Sequence, residues 1–158
     1  MYYFDEQISI LLRLLTALLL GALIGMDREA ADKPAGLRTH MLVAGSAAIM
    51  VMMGELLVGQ LEGALGSQVV NADPIRIIAA IITGVSFLGA GTIIRQRSKG
   101  GVQGLTTAAS LLFASVLGIA VALGQWVVAV GASVLALLIL RGLLRVERKL
   151  KRSDPEIM

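Results

Sequence analysis

The chain has 158 residues, 56% hydrophobic and 16% charged, with a mean hydropathy of +0.82, which is too apolar for an ordinary soluble domain. It holds no cysteine and one histidine, His40, which excludes disulfides, a thiol nucleophile and metal clusters built from Cys or several His. A net charge of +3 would suit nucleic acid, but the positions of the basic residues place them at a membrane surface instead.

The apolar residues fall in five runs, each near the ~20 residues that a spanning helix needs. They predict an all-α membrane protein with a transmembrane domain over residues 1–144 and a basic tail over 145–158. The first helix is expected over residues 8–26. The leading MYYFDEQ has no positive stretch, so this helix reads as a retained span rather than a cleaved signal. Arg13 sits inside it, placed to snorkel outward or to pair with Asp5, Glu6 or another helix. Gly21 and Gly25 form a close-packing pattern. The helix is expected to continue as far as Lys33, supported by the pairs Arg28/Asp32 and Glu29/Lys33, until Pro34 and Gly36 break it.

The second helix is expected over residues 39–59, with small residues first, then Met50, Met52 and Met53, and Glu55 near its far end. A polar loop follows from 60 to 72. Asp73-Pro74 is a start signal, Asp73 as N-cap and Pro74 as first helical residue, for a third helix over 74–94. Gly89, Ala90 and Gly91 are small positions on it, with Gly89 and Gly91 expected to serve helix packing. A basic glycine-bearing loop leads to a fourth helix over 106–123, which Thr106 or Thr107 can cap. Ala114 and Gly118 lie on one face of it. Gly124-Gln125 makes a tight turn, and the fifth helix is expected over 126–144, with Trp126 at interface depth.

The basic residues set the orientation. Arg28, Lys33 and Arg38 lie between helices one and two, and Arg95, Arg97 and Lys99 between three and four. Arg141, Arg145, Arg148, Lys149, Lys151 and Arg152 end the chain, so only Arg13 and Arg76 fall elsewhere. All those loops lie on one side, which puts the N-terminus outside and the C-terminus in the cytoplasm. The basic residues then serve orientation and membrane lipid, not nucleic acid.

An internal repeat runs through this topology. Leu-Gly-Ala occurs at 20–22 and 88–90, and Gly-Leu-x-Thr at 36–39 and 104–107, both at an offset of 68. Asp5 falls opposite Asp73 at the same offset. Helices one and two therefore read as a hairpin repeated in parallel by helices three and four, with the fifth helix added.

Several residues carry alternative readings. Asp73, one turn before Arg76, is either a helix cap or an outward acidic site, which Glu55 would join to offer oxygens to Mg²⁺. Asp27, Arg28 and Glu29 are either a solvated helix end or an ion-pair lock with Arg38. His40 reads as an interface or capping residue. Gly21/Gly25 and Ala114/Gly118 are the faces on which a homodimer would pack. No nucleophile–base pair and no cofactor motif appears, so an enzyme is not expected.

The segments GxxIGxxRE (Gly21 to Glu29), KPAGLRTH (Lys33 to His40), DPxR (Asp73 to Arg76), FLGAGTIIR (Phe87 to Arg95) and GLTTAAS (Gly104 to Ser110) together resemble the MgtC/SapB family of bacterial inner-membrane proteins. Asp27 stands where that family commonly has Glu. The resemblance implies a multi-pass inner-membrane protein linked to magnesium limitation, and in some members to virulence and restraint of the F-type ATP synthase. It marks Asp27, Glu29, Arg38, Asp73 and Thr106 as site positions and implies the short form, without a soluble C-terminal domain. Two functions follow. One is a non-enzymatic regulator working on itself or on a membrane-protein partner, with Mg²⁺ as signal. The alternative is a transporter, or transport subunit, for Mg²⁺ or another cation.

Overall fold

The computed structural model describes residues 2–65, 73–96 and 103–153, and these form five helices in the expected order: α1 (Tyr2–Ala30), α2 (Leu37–Leu65), α3 (Pro74–Gln96), α4 (Leu105–Ala122) and α5 (Trp126–Ser153). No strand occurs among the described residues. Four helices are long and apolar enough to cross a membrane: Phe4–Ala30, Leu37–Ala64, Pro74–Ile93 and Leu105–Ala122. The apolar part of α5, Trp126–Gly142, is shorter. The protein is an all-α membrane protein.

Helix ends are set by local chemistry, and here several expectations need correcting. α1 stops at Ala30 instead of reaching Lys33. Lys33 N–H donates to the Arg28 carbonyl and Asp32 N–H to that of Glu29, closing the turn with Asp32 in the left-handed region at φ 52° where glycine usually stands. The pairs Arg28/Asp32 and Glu29/Lys33 do not form, because Arg28 turns to Asp27 and Glu29 to the next helix. α2 begins two residues before Thr39 and runs on to Leu65, past the expected loop start. α4 is capped by neither threonine: Gly104, at φ 93°, is the N-cap without a side-chain bond. The turn at Gly124, φ 71°, ends α4 as expected, and α5 continues helically into the basic tail. Lys99, Gly100 and Gly101 lie outside the described residues, as does Arg97.

α4 is the hub. It packs against each of the other helices, α1 packs most extensively on α2, and α5 lies on α1 and α4. Among the described residues α1 does not touch α3, and α5 touches neither α2 nor α3. The sorting of side chains suits lipid. Leu11, Leu15, Leu19 and Leu23 form an exposed stripe at i,i+4 spacing, while Ala17, Leu20, Ile24 and Arg28 face inward. The core is built largely of alanine: Ala44, Ala47, Ala48, Ala114 and Ala122 are all buried.

Small residues set the close approaches. A side chain at Gly21 would stand 2.5 Å from the His40 carbonyl oxygen, and one at Gly25 2.7 Å from Leu37 Cα. One at Gly89 would meet Ala108 Cβ at 3.2 Å, and one at Gly104 would meet Ile93 Cα at 3.4 Å. Gly21 with His40 and Gly89 with Ala108 differ by 68 residues, as do Gly25 with Gly36 and Ile93 with Gly104. The two hairpins thus close at equivalent positions. Gly118 lies against the Ala44 carbonyl. Gly91, expected to pack, has nothing within 4 Å. The faces offered for a homodimer, Gly21/Gly25 and Ala114/Gly118, are buried inside this single bundle instead.

Candidate functional site

The charges gather where α1 ends. Arg28 is the largest fully buried side chain of the described residues, 1% exposed. Neighbours in sequence do not face each other on a helix, so its guanidinium doubles back to reach the adjacent carboxylate. Arg28 Nε and Nη2 donate to Asp27 Oδ2 at 3.2 and 2.5 Å. The other oxygen, Asp27 Oδ1, accepts from Arg141 Nε on α5 at 2.8 Å. One buried carboxylate therefore joins a buried arginine to an arginine that is 62% exposed. A buried guanidinium is tolerated only when it is paired and hydrogen-bonded, and Asp27 meets that need.

Glu29 extends the network by a different route. Its Oε2 accepts the Leu37 N–H at 2.7 Å, satisfying a free donor in the first turn of α2. Gly36 allows this, since a side chain there would meet Glu29 Oε2 at 2.8 Å. Deeper in the bundle, fully buried His40 bridges α2 and α4. Its Nδ1 lies 2.8 Å from the Gly36 carbonyl and its Nε2 2.9 Å from Ser110 Oγ. A carbonyl only accepts, so Nδ1 carries hydrogen. Ser110 Oγ also reaches the Thr107 carbonyl at 2.8 Å.

At the opposite end Arg13 pairs with neither Asp5 nor Glu6. Its Nη1 donates to the Ala122 carbonyl at 2.8 Å, in the last turn of α4, where a cation is favoured by the helix dipole. Arg13 also lines an open polar groove of about 950 Å³ with Glu6, Gln7, Glu55 and Gln60. No buried side-chain polar atom among the described residues lacks a partner.

The sequence-derived positions separate accordingly. Asp27 and Arg28 are a buried ion pair, not a solvated helix end. The lock on Asp27 comes from Arg141, while Arg38 stands exposed at the mouth of another groove. Asp73 caps α3, its Oδ1 accepting the Ile75 N–H at 3.0 Å, and makes no ion pair with Arg76. Glu55 faces α1 across the polar groove, which Asp73 does not line. Among the described residues no group of three or more His, Cys, Asp or Glu side chains that could hold a metal ion comes together. Thr106 is exposed; its neighbour Thr107 is buried. In the sequence Arg141 carries no signal beyond that of an orientation charge, yet it pairs with Asp27. It is the first basic residue after the apolar run of α5, at the depth of Asp27.

The MgtC family model matches residues 14–149. SrpB of Synechococcus elongatus is 36% identical over 149 residues, covering 90% of this chain and 79% of SrpB. MgtC of Salmonella typhimurium is 41% identical over 128 residues, covering 80% of this chain and 49% of MgtC. YhiD of Escherichia coli is 34% identical over 130 residues, covering 82% of this chain and 58% of YhiD. The chain thus spans about half the length of MgtC and somewhat more of YhiD. No solved structure matches. Matched along almost its whole length by the family's model, and closely related to SrpB over most of both chains, this membrane protein belongs to the MgtC family.

Proposed function

We propose that this protein is a non-enzymatic regulator in magnesium homeostasis that acts by contact with a membrane-protein partner. The name given to YhiD of Escherichia coli, a magnesium transporter, ties one relative to magnesium, and the family resemblance links the chain to magnesium limitation and makes the F-type ATP synthase the first partner to test. The observation that carries the regulatory reading is the use made of the buried polar groups. Arg28 is held by Asp27, Arg13 by the Ala122 carbonyl, and His40 by Gly36 and Ser110. Between them the helices close on alanine and glycine. Groups engaged in this way hold a bundle together and are not free to pass an ion along it.

A transport reading is favoured by the name of YhiD and by one structural feature, the polar groove at the acidic end lined by Glu6, Glu55 and Arg13. Purified protein in proteoliposomes separates the two. The regulatory reading expects Mg²⁺ flux no greater than in protein-free vesicles, together with impaired growth at low Mg²⁺ when the gene is lost. Saturable flux that Glu55→Gln abolishes would overturn it.

A further inference from the structure

α2 and α3 meet at one end and part at the other. At Gly54 the helices are so close that Ile77 Cδ1 fills the space a side chain would need. Toward the basic end they splay and leave an open groove of about 540 Å³. Met50, Gly84 and Leu88 line its apolar length, and Arg38 and Thr39 stand at its mouth. Gly84 has nothing within 4 Å, so the groove is vacant of protein at its middle.

Length and charge say what fits. From Arg38 to Met50 α2 rises about 18 Å, close to half of a hydrocarbon core of about 30 Å. The groove is thus one leaflet deep. A partner's transmembrane helix would need a seat along the full thickness, and the Gly54–Ile77 contact, about 24 Å along α2 from Arg38, closes that path short of the far surface. Arg38 is exposed and forms no ion pair among the described residues. A guanidinium binds phosphate oxygens through paired, charge-assisted hydrogen bonds, and a threonine hydroxyl adds a donor. Basic pockets between helices are where anionic headgroups bind.

We propose that this groove binds one anionic phospholipid from the leaflet at the basic end, an acyl chain between α2 and α3 and the phosphate on Arg38. The claim is independent of whether the protein regulates or transports.

Native mass spectrometry of the full chain in mild detergent tests it, with phosphatidylglycerol and phosphatidylcholine of identical chains as probes. Wild type is expected to retain one phosphatidylglycerol, with about fivefold preference over phosphatidylcholine. Gly84→Leu fills the groove and is expected to lose both lipids. Arg38→Gln, a change at an exposed position, is expected to keep the lipid but lose the preference, and it decides the matter should Gly84→Leu fail to fold. Equal binding of the two lipids by wild type would overturn the proposal, as would unchanged selectivity in Arg38→Gln or unchanged retention by folded Gly84→Leu. A dimer that Gly84→Leu disperses would overturn it too, by making the groove a seat for a second copy.

Discussion

The interface of α1 with α4 and that of α3 with α2 occupy equivalent places in the repeat, yet one is closed and the other open. Leu20 is 6% exposed, whereas Leu88, 68 residues on, is 52% exposed. Ala114 and Gly118 are buried; their counterparts Ser46 and Met50 are exposed in the groove. Arg13 reaches across to the end of α4, and Ile81 stands in its place in the second copy. The fifth helix accounts for much of this. α5 lies over α1 and α4 and contributes Arg141 to Asp27, while no sixth helix among the described residues covers α2 and α3. A repeated scaffold therefore does not repeat its site. One added helix and a few side chains turn one interface into a charged core and leave the other facing lipid.

The sharpest way to break this contrast is to remove the carboxylate at the centre of the closed side. Asp27→Ala leaves Arg28 buried without a counter-ion and unties Arg141. Losing one partner of a buried pair typically costs about 3–5 kcal/mol, so unfolding in detergent should shift by that order. A loss below about 1 kcal/mol would mean that the buried charges do not distinguish the two sides. Next in size is a paired substitution of glycines. Gly118→Leu drives a side chain into the Ala44 carbonyl, and backbone cannot rotate away, so about 3 kcal/mol is expected. Gly91→Leu, with open space around it, should stay within about 0.5 kcal/mol of wild type. Equal effects would erase the difference between closed and open faces. A smaller effect is expected of Ser110→Ala, which removes the hydroxyl facing His40 Nε2 and should cost about 1 kcal/mol by the same measurement.

The fold was legible because hydropathy and turn chemistry speak locally. Asp73-Pro74 starts α3 and Gly124 ends α4 as local turn chemistry dictates, and the offset of 68 marks the two hairpins whose close approaches at Gly21 and Gly89 are equivalent. The site was less legible because it depends on which helices meet. Asp27-Arg28-Glu29 reads in sequence like any charged helix end. Only the packing of α5 on α1 brings Arg141 to it, across a separation of 114 residues. Gly91 misleads for the converse reason: a glycine shows that close approach is permitted, not that a partner is there. Arg38 offered two carboxylates nearby in sequence, but Asp27 faces inward and Glu29 is engaged by the Leu37 N–H.

The smallest expected effect asks what holds α5 in place. Arg141 is 62% exposed, and an ion pair open to solvent contributes about 0–1 kcal/mol. Apolar packing offers α5 a second attachment. Ala129 and Ser133 are buried, and Ala136 and Leu140 follow at helical spacing against the same core. Arg141→Gln should therefore cost no more than about 1 kcal/mol, and less at high salt, where screening already weakens the pair. Ala129→Leu, which wedges the helix off its seat, should cost more, about 1–3 kcal/mol. If the order were reversed, the asymmetry between the two interfaces would rest on a single surface-accessible ion pair. The closed side would then open whenever Arg141 found another anion, such as a lipid phosphate, and the two interfaces would differ in occupancy rather than in construction.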